Sequence, residues 1–243
     1  LGDRLRPPIW RQHSDNQLYL LTIRATSLGT GPGLMASPYV PDVHAFNGRG
    51  DKSLMPLYLD GSSSRSNVNE SVLEQWSDAL GEDVSHCAAV CYAYGIAGSP
   101  IYFNYFEDRV RQSPTLLPLT TDPDLFAATC ALGNELIWLH TWRERALMSS
   151  PTGYDDDVEF EIVSEPDGLI SEFSYNPDLQ VLEVGNGRIA GISPDLWEYQ
   201  VSGLKVLKSW LGYRKTPRSG KRSSPLDDVR DAEWSHTSEL LEI

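Results

Sequence analysis

The chain has 243 residues, 40% of them hydrophobic, and a formal net charge of −14. That length and apolar content suffice for a buried core, as one large domain or two small lobes. No apolar run approaches the ~18 residues that span a bilayer, so no membrane contact is expected.

Three cysteines, Cys87, Cys91 and Cys130, are too few and of the wrong parity for a disulfide framework, which points to a reducing, cytoplasmic home. The first residues, LGDRLRPPIWRQHSDNQ, lack the apolar h-region of a signal peptide. The absent initiating Met and the terminal "HTSELLEI", which reads like a helix cut short, lead us to expect a piece of something longer.

In chain order, "QLYLLTIRAT" (17–26) is rich in β-branched and aromatic residues and predicts a buried strand. "SLGTGPG" reads as a loop. "DVHAFNGRGDKSLMPLYLDG" predicts two strands around Asn47 and Gly48, a strong hairpin signal. Residues 62–69 are polar and predict an exposed loop. A helical middle follows, with helices over 72–80 and 84–97, the second placing Val84, Cys87, Val90 and Cys91 on one face. Ser99-Pro100 and Asp122-Pro123 each place a capping residue before a proline at the first helical position, opening "IYFNYFEDRVRQ" and "LFAATCALGNELIWLHTWRERA".

After Ser150 the pattern returns to strands. "DVEFEIV" alternates, and "LISEFSYNPDLQVLEVGNGRIAGI" holds three short strand-like pieces divided by Asn176-Pro177-Asp178 and Gly185-Asn186-Gly187. Ser193-Pro194 caps a short helix, "DLWEY". Strands, then helices, then strands predict an α+β fold with β-hairpins at both ends around a helical middle. The organisation expected is one recognition region over 1–243, β-rich over 1–70, helical over 71–150, and β-hairpins with a basic helix and loop over 151–243.

Motif searches for catalysis fail. "GTGPG" lacks the Gly-Lys-Ser/Thr that grips phosphates and Mg²⁺. None of the five lysines has an acid two residues before it, so the common PD…(D/E)xK nuclease motif is missing. "YNPDLQ" comes nearest to the Asn-Pro-Pro-Tyr of an amino-methyltransferase, but Asp178 replaces the second proline. No Gly-x-Ser-x-Gly elbow is present. His86, Cys87 and Cys91 have spacing open to metal ligation, but with no second ligand pair at finger-like spacing they read as core fillers. His140 reads as an ordinary helix residue. The chain is expected to be non-catalytic and to hold no cofactor or metal.

Charge is unevenly spread. Residues 1–200 carry 12 basic and 28 acidic side chains, whereas 201–243 carry 8 basic and 6 acidic. "GLKVLKSWLGYRKTPRSGKRSS" (203–224) holds seven basic residues and no acidic one. At 100° per residue, Leu204, Val206, Leu207, Trp210 and Leu211 share an arc, leaving Lys205, Lys208, Ser209 and Gly212 opposite. The expected helix ends at Gly212, and Tyr213, Arg214 and Lys215 begin a loop carrying Arg218, Lys221 and Arg222. Such a basic helix and loop suits phosphate oxygens and guanine edges, and a solvated basic surface is the plain alternative.

"PLYLDG", "YAYGIAGSPIYFNYFEDRVR", "LGNELIWLHTW" and "VSGLKVLKSWLGYRKTPRSGKRSSPLDDV", in that order, resemble the C-terminal specificity region of type ISP restriction-modification enzymes, over about residues 19–234. These are single polypeptides joining a nuclease, a helicase-like translocase, an N6-adenine methyltransferase and a target-recognition domain. The resemblance implies a module that reads a short site on double-stranded DNA, so that domains outside this chain flip and methylate an adenine and restrict unmodified DNA. It implies S-adenosylmethionine, ATP and Mg²⁺ for the full-length enzyme, and the methyltransferase and translocase domains as partners. It transfers no catalytic residue and names no base reader.

DNA contacts are expected instead from the chemistry of the side chains. Lys205, Lys208, Arg214, Lys215, Arg218, Lys221 and Arg222 are the expected phosphate clamps. Ser63, Ser64, Arg65, Ser66 and Asn67 offer donors and acceptors for base edges, with Arg65 the expected guanine reader. The acidic balance supports a second reading, a protein-docking module coupling methyltransferase and translocase, with Asp155, Asp156 and Asp157 facing a basic partner surface.

Overall fold

The computed structural model describes residues 7–23, 34–41, 52–106, 117–152, 160–166, 170, 172–201 and 203–214. The expected turn at Asn47 and Gly48, the triplet Asp155, Asp156 and Asp157, and the loop residues Lys215, Arg218, Lys221 and Arg222 lie outside them. The chain forms two compact units, Leu1–Gly153 with Val201–Gly203, and Tyr154–Gln200 with Leu204–Ile243.

In the first unit a short helix, α1 (Pro7–Arg11), leads into β1 (Tyr19–Ile23). β1 is central, flanked antiparallel by β2 (Leu34–Ser37) and β3 (Lys52–Pro56). Leu21 is fully buried and pairs with Met35 on one side and Leu54 on the other. The sequence reading places no strand at β2. Its four residues show no useful alternation, and pairing with β1 rather than propensity makes them a strand.

Four helices follow. α2 (Glu70–Leu80) starts at Asn69, whose side chain accepts the Ser71 N–H, and ends at Gly81 in a left-handed conformation, φ 77°. α3 (His86–Ala97) is capped by Ser85 through the Ala88 N–H. α4 (Pro100–Tyr105) has Ser99 at its cap position, yet that side chain makes no capping hydrogen bond. α5 (Pro123–His140) is capped by Asp122, which accepts from the Asp124 and Leu125 N–H groups. It stops at His140 rather than continuing through Arg145, because the backbone turns left-handed at Trp142 and Arg143.

α3 is buried on most sides and crosses α5 with the two backbones in contact. A Cβ on Gly133 would lie 1.7 Å from the Cys91 carbonyl oxygen, and one on Gly95 would lie 2.6 Å from that of Thr129. The cysteines fill the same crossing: Cys130 Sγ donates to the Ala88 carbonyl at 3.3 Å. Burial pushes the Cys91 thiol up to about 12 and the Cys130 thiol up to about 11. His86 turns elsewhere, its Nε2 3.3 Å from the Tyr58 hydroxyl. Beside the crossing, Trp76 meets Tyr92 and Phe126 edge-on at centroid distances of 4.9 and 5.1 Å.

Tyr94 ties the sheet to the helices. Its buried hydroxyl accepts the Ala36 N–H at 3.1 Å and lies 2.7 Å from His140 Nδ1. Burial pushes the His140 imidazole below its ordinary value. The unfolded chain therefore takes up a proton near pH 6.5 while the folded chain resists it, and stability falls as pH drops below about 6.5. Chemical denaturation between pH 7.5 and 5 is expected to show this slope, reduced in His140→Gln.

The second unit is a four-stranded antiparallel sheet of β4 (Glu161–Ser164), β5 (Phe173–Asn176), β6 (Val181–Val184) and β7 (Gly187–Ala190), in the order β4-β7-β6-β5. The three predicted pieces between 169 and 192 are β5, β6 and β7. β4 does not alternate: Glu161, Ile162 and Val163 are all exposed. Leu182 and Ile189 pair on the buried face, and Glu183 and Arg188 pair on the solvent face. α6 (Pro194–Glu198), capped by Ser193 through the Leu196 N–H, and α7 (Val206–Arg214) cover the buried face. Between them lie β8 (Gln200–Val201) and β9 (Leu204–Lys205). Antiparallel sheets with helices segregated along the chain make this the α+β fold that the element order predicts.

Candidate nucleic-acid interface

The polar loop of the first unit is a built structure. The Asp60 carboxylate organises it: Oδ1 accepts from the Ser62 N–H (3.0 Å), the Ser62 hydroxyl (2.7 Å) and the Ser64 N–H (3.0 Å). Oδ2 accepts from the Ser64 hydroxyl (3.3 Å) and the Arg65 N–H (2.8 Å). These bonds hold the Asp60 carboxyl far below the usual carboxylate range, led by the Ser62 hydroxyl and the Ser64 N–H. Asp-Gly-Ser is a turn signature, because an aspartate beside its own backbone donors closes the chain on itself.

Backbone bonds close the neck of the loop, from the Leu59 N–H to the Arg65 carbonyl and from the Asn67 N–H to the Leu57 carbonyl, both 2.8 Å. Asn67 Nδ2 donates to the Pro56 carbonyl at 3.0 Å, and the Ser66 hydroxyl accepts the Val68 N–H at 3.1 Å. Ser63, left-handed at φ 56°, has its hydroxyl 2.8 Å from that of Ser14. Gln17, fully buried, clasps the base of the loop: its amide donates to the Gln12 and Tyr58 carbonyls and its Oε1 accepts the Tyr58 N–H.

The five predicted residues therefore divide. Ser63, Ser64, Ser66 and Asn67 use polar atoms to hold the loop together. Arg65 is exposed, and its guanidinium has no partner among the described residues. The structure thus displays one long cationic fork on a fixed turn. Rigid display suits base recognition, because a preorganised donor pair loses less freedom on binding.

The basic helix of the second unit is organised around an acid. Lys208 Nζ donates to Glu198 Oε1 at 2.6 Å and Lys205 Nζ donates to Glu198 Oε2. The Lys205 and Lys208 ammonium groups hold the Glu198 carboxyl below its usual range, and Glu198 in turn pushes Lys205 up. Lys208 Nζ also lies 4.9 Å from the Trp197 ring centroid, and the Arg214 guanidinium stacks on Trp210 at 3.9 Å.

Two details correct the sequence reading. Lys205 sits on β9, not on the helix, and α7 continues past Gly212 to Arg214. Nothing lies within 4 Å of a Cβ placed on Gly212, so this exposed glycine has no neighbours forcing a stop. On α7 the apolar arc is as expected, with Leu207 and Leu211 buried and Val206 and Trp210 half-buried, whereas Leu204, also half-buried, sits on β9.

Sequence reasoning missed three organising residues. Asp60 was legible in the Asp-Gly-Ser signature. Gln17 and Glu198 were not, because their partners come from tertiary contacts or from seven and ten residues away.

A model of the Type ISP C-terminal specificity domain matches residues 1–243. No curated protein matches the chain. Among solved structures, the DrdV–DNA complex matches with TM-score 0.63 and 16% identity, over 92% of this chain and 23% of that one. The ATP-dependent Type ISP restriction-modification enzyme LlaBIII bound to DNA matches at 0.58 and 17%, over 80% of this chain and 13% of that one. A nuclease-deletion mutant of the Type ISP enzyme LlaGI, in complex with a DNA substrate mimic, matches at 0.54 and 18%, over 80% and 16% of the two chains. The likeness at such identities is one of fold, and the chain spans less than a quarter of each solved chain.

Proposed function

Because the chain belongs to the Type ISP C-terminal specificity domain family, we propose that it is the DNA target-recognition module of a restriction-modification enzyme. The family match over all 243 residues carries this reading. The module reads a short site on duplex DNA and directs adenine-N6 methylation and restriction by domains outside this chain. S-adenosylmethionine, ATP and Mg²⁺ serve those domains. The sequence carries no Gly-Lys-Ser/Thr phosphate loop, and no group of three or more metal-ligating side chains occurs among the described residues.

Arg65 is the base reader, fixed by Asp60 and the loop neck. Lys205, Lys208 and Arg214 contact phosphates, joined by Lys215, Arg218, Lys221 and Arg222. Contacts of this second kind position the protein without reading sequence. Neutralising the basic set in the natural polypeptide is expected to weaken binding to all duplexes alike. It also flattens the dependence on salt, by about 0.9 in log–log slope for each phosphate no longer neutralised. An unchanged salt slope would remove the basic set from the interface.

Glu198 sets how far the two lysines reach. Glu198→Gln leaves both unneutralised, so nonspecific duplex affinity is expected to rise and the salt slope to steepen by up to about 2, as two more phosphate contacts form. Fluorescence anisotropy of a labelled duplex across about 50 to 200 mM salt measures both. Affinity unchanged by the substitution would show that the lysines face no phosphate.

The acidic balance of residues 1–200, 28 acidic against 12 basic side chains, favours a second role as a docking surface for the neighbouring catalytic domains. Site selection that survives loss of both Arg65 and the basic set would support it.

A further inference from the structure

α5 ends in a turn with an unusual backbone. Trp142 and Arg143, neither a glycine, have φ values of 50° and 63°. Bulky side chains rarely adopt this region, and strain of this kind clusters at functional sites. The turn is fixed from several sides. The Arg143 N–H donates to the Trp138 carbonyl at 2.7 Å and the Trp142 N–H to that of Leu139 at 3.1 Å. Beneath them, the buried Thr141 hydroxyl donates to the Ile137 carbonyl at 2.7 Å and accepts the Arg145 N–H at 3.1 Å.

That rigid turn pushes a large aromatic outward. Trp142 is 58% exposed, and no packing in the core requires an indole there. The residues that follow it in the chain, Arg143, Glu144 and Arg145, are all charged. The Arg143 guanidinium lies 5.3 Å from the Trp138 ring centroid. Glu144 is occupied, accepting the Tyr39 hydroxyl at 2.8 Å and pairing with Arg145 at 3.9 Å. Tyr39, itself exposed, lies 6.4 Å from the His13 ring.

The turn is also joined to the Arg65 loop. Arg145 Nε donates to the Gln17 carbonyl at 3.3 Å, and the Gln17 side chain clasps Tyr58 at the base of that loop. Earlier on the same segment, the Ser14 hydroxyl bonds that of Ser63 in the loop itself. One short segment thus braces both the loop and the turn.

Resting on the recognition reading above, we propose that Trp142 is a second DNA contact. Its indole stacks on a base, or wedges into a base step, beside the base read by Arg65. A flat, exposed apolar face fits the π-face of any base, and wedging side chains open base steps that a reading loop then approaches. Continuity with the Arg65 loop favours DNA over a protein partner.

The test uses the natural polypeptide and the duplex site it selects. Trp142→Ala is expected to weaken binding about 10-fold, from loss of one base stack, with the salt slope unchanged because the indole neutralises no phosphate. Trp142→Phe keeps most of the affinity. Trp142→Gly separates binding from fold: it relieves the left-handed backbone, so thermal stability holds or rises while affinity still drops. A 2-aminopurine scan of the site is expected to reveal one position whose fluorescence enhancement disappears in Trp142→Ala. Unchanged affinity in both the alanine and glycine variants would overturn the proposal. So would a loss that tracks detachment of the neighbouring domains, seen as new protease cleavage between them, which would assign the turn to protein docking. Failure of the unsubstituted polypeptide to prefer any duplex would instead sink the recognition reading, and this inference with it.

Discussion

Gly133→Ala is expected to destabilise the first unit by about 3 kcal/mol or more, lowering its melting temperature by on the order of 10 °C. The added Cβ would stand 1.7 Å from the Cys91 carbonyl oxygen, 2.6 Å from its carbon and 2.8 Å from the Gly95 nitrogen. All three are backbone atoms, so no side-chain rotation relieves the overlap and α3 and α5 must separate. Separation loosens the packing of Cys130, Ile137 and the other buried residues along the crossing. It also disturbs Asn134, whose Oδ1 accepts the Leu147 and Met148 N–H groups. The ~1 kcal/mol that alanine normally gains over glycine inside a helix is too small to compensate. Gly212 supplies the control: with nothing within 4 Å of its Cβ position, Gly212→Ala is expected to stabilise the second unit by up to about 1 kcal/mol. Chemical denaturation of the two variants measures both signs, and equal effects would refute the clash between backbones.

Arg65→Ala is expected to abolish discrimination at one position of the recognised site. A bidentate arginine–guanine pair is worth ~1–3 kcal/mol, about 5- to 150-fold in relative affinity. Loss should concentrate on the cognate site, because a nonspecific duplex offers this side chain at most one phosphate. Arg65→Lys keeps the charge but not the planar fork, so discrimination stays low while salt dependence is retained. Asp60→Ala is expected to lose part of the same discrimination with Arg65 intact, since five donors release their acceptor and the loop no longer fixes the guanidinium. The Asp60 carboxyl titrates far below the usual range, so its loop support is present above that group's unfolded value and is lost only in strong acid. Relative affinities for the site and its single-base variants measure these effects.

Local chemistry made much of this fold legible. The caps at Asp122 and Ser193, proline openings at Pro123 and Pro194, and turn residues around Asn176 and Gly185 all act within a few residues of themselves. The α+β order followed from where strand-like and helix-like stretches fall. What was not legible depended on distant partners. β2 is a strand because β1 pairs with it; the end of α5 is instead a left-handed turn at Trp142 and Arg143 that no glycine announces. The same division holds at the interface. A basic run and a polar run stand out by composition, but composition does not show that Glu198 holds Lys205 and Lys208, or that four of the five polar loop residues are scaffold for Arg65. Trp142 looked like a continuation of a helix, and only its backbone conformation marks it out.

Selection of a random duplex library by the natural polypeptide, unsubstituted and with Arg65→Ala, tests the recognition role most directly. The unsubstituted protein is expected to enrich one short site, with information lost at a single position in the variant. An identical enriched site from both proteins would contradict the assignment of Arg65 as the base reader.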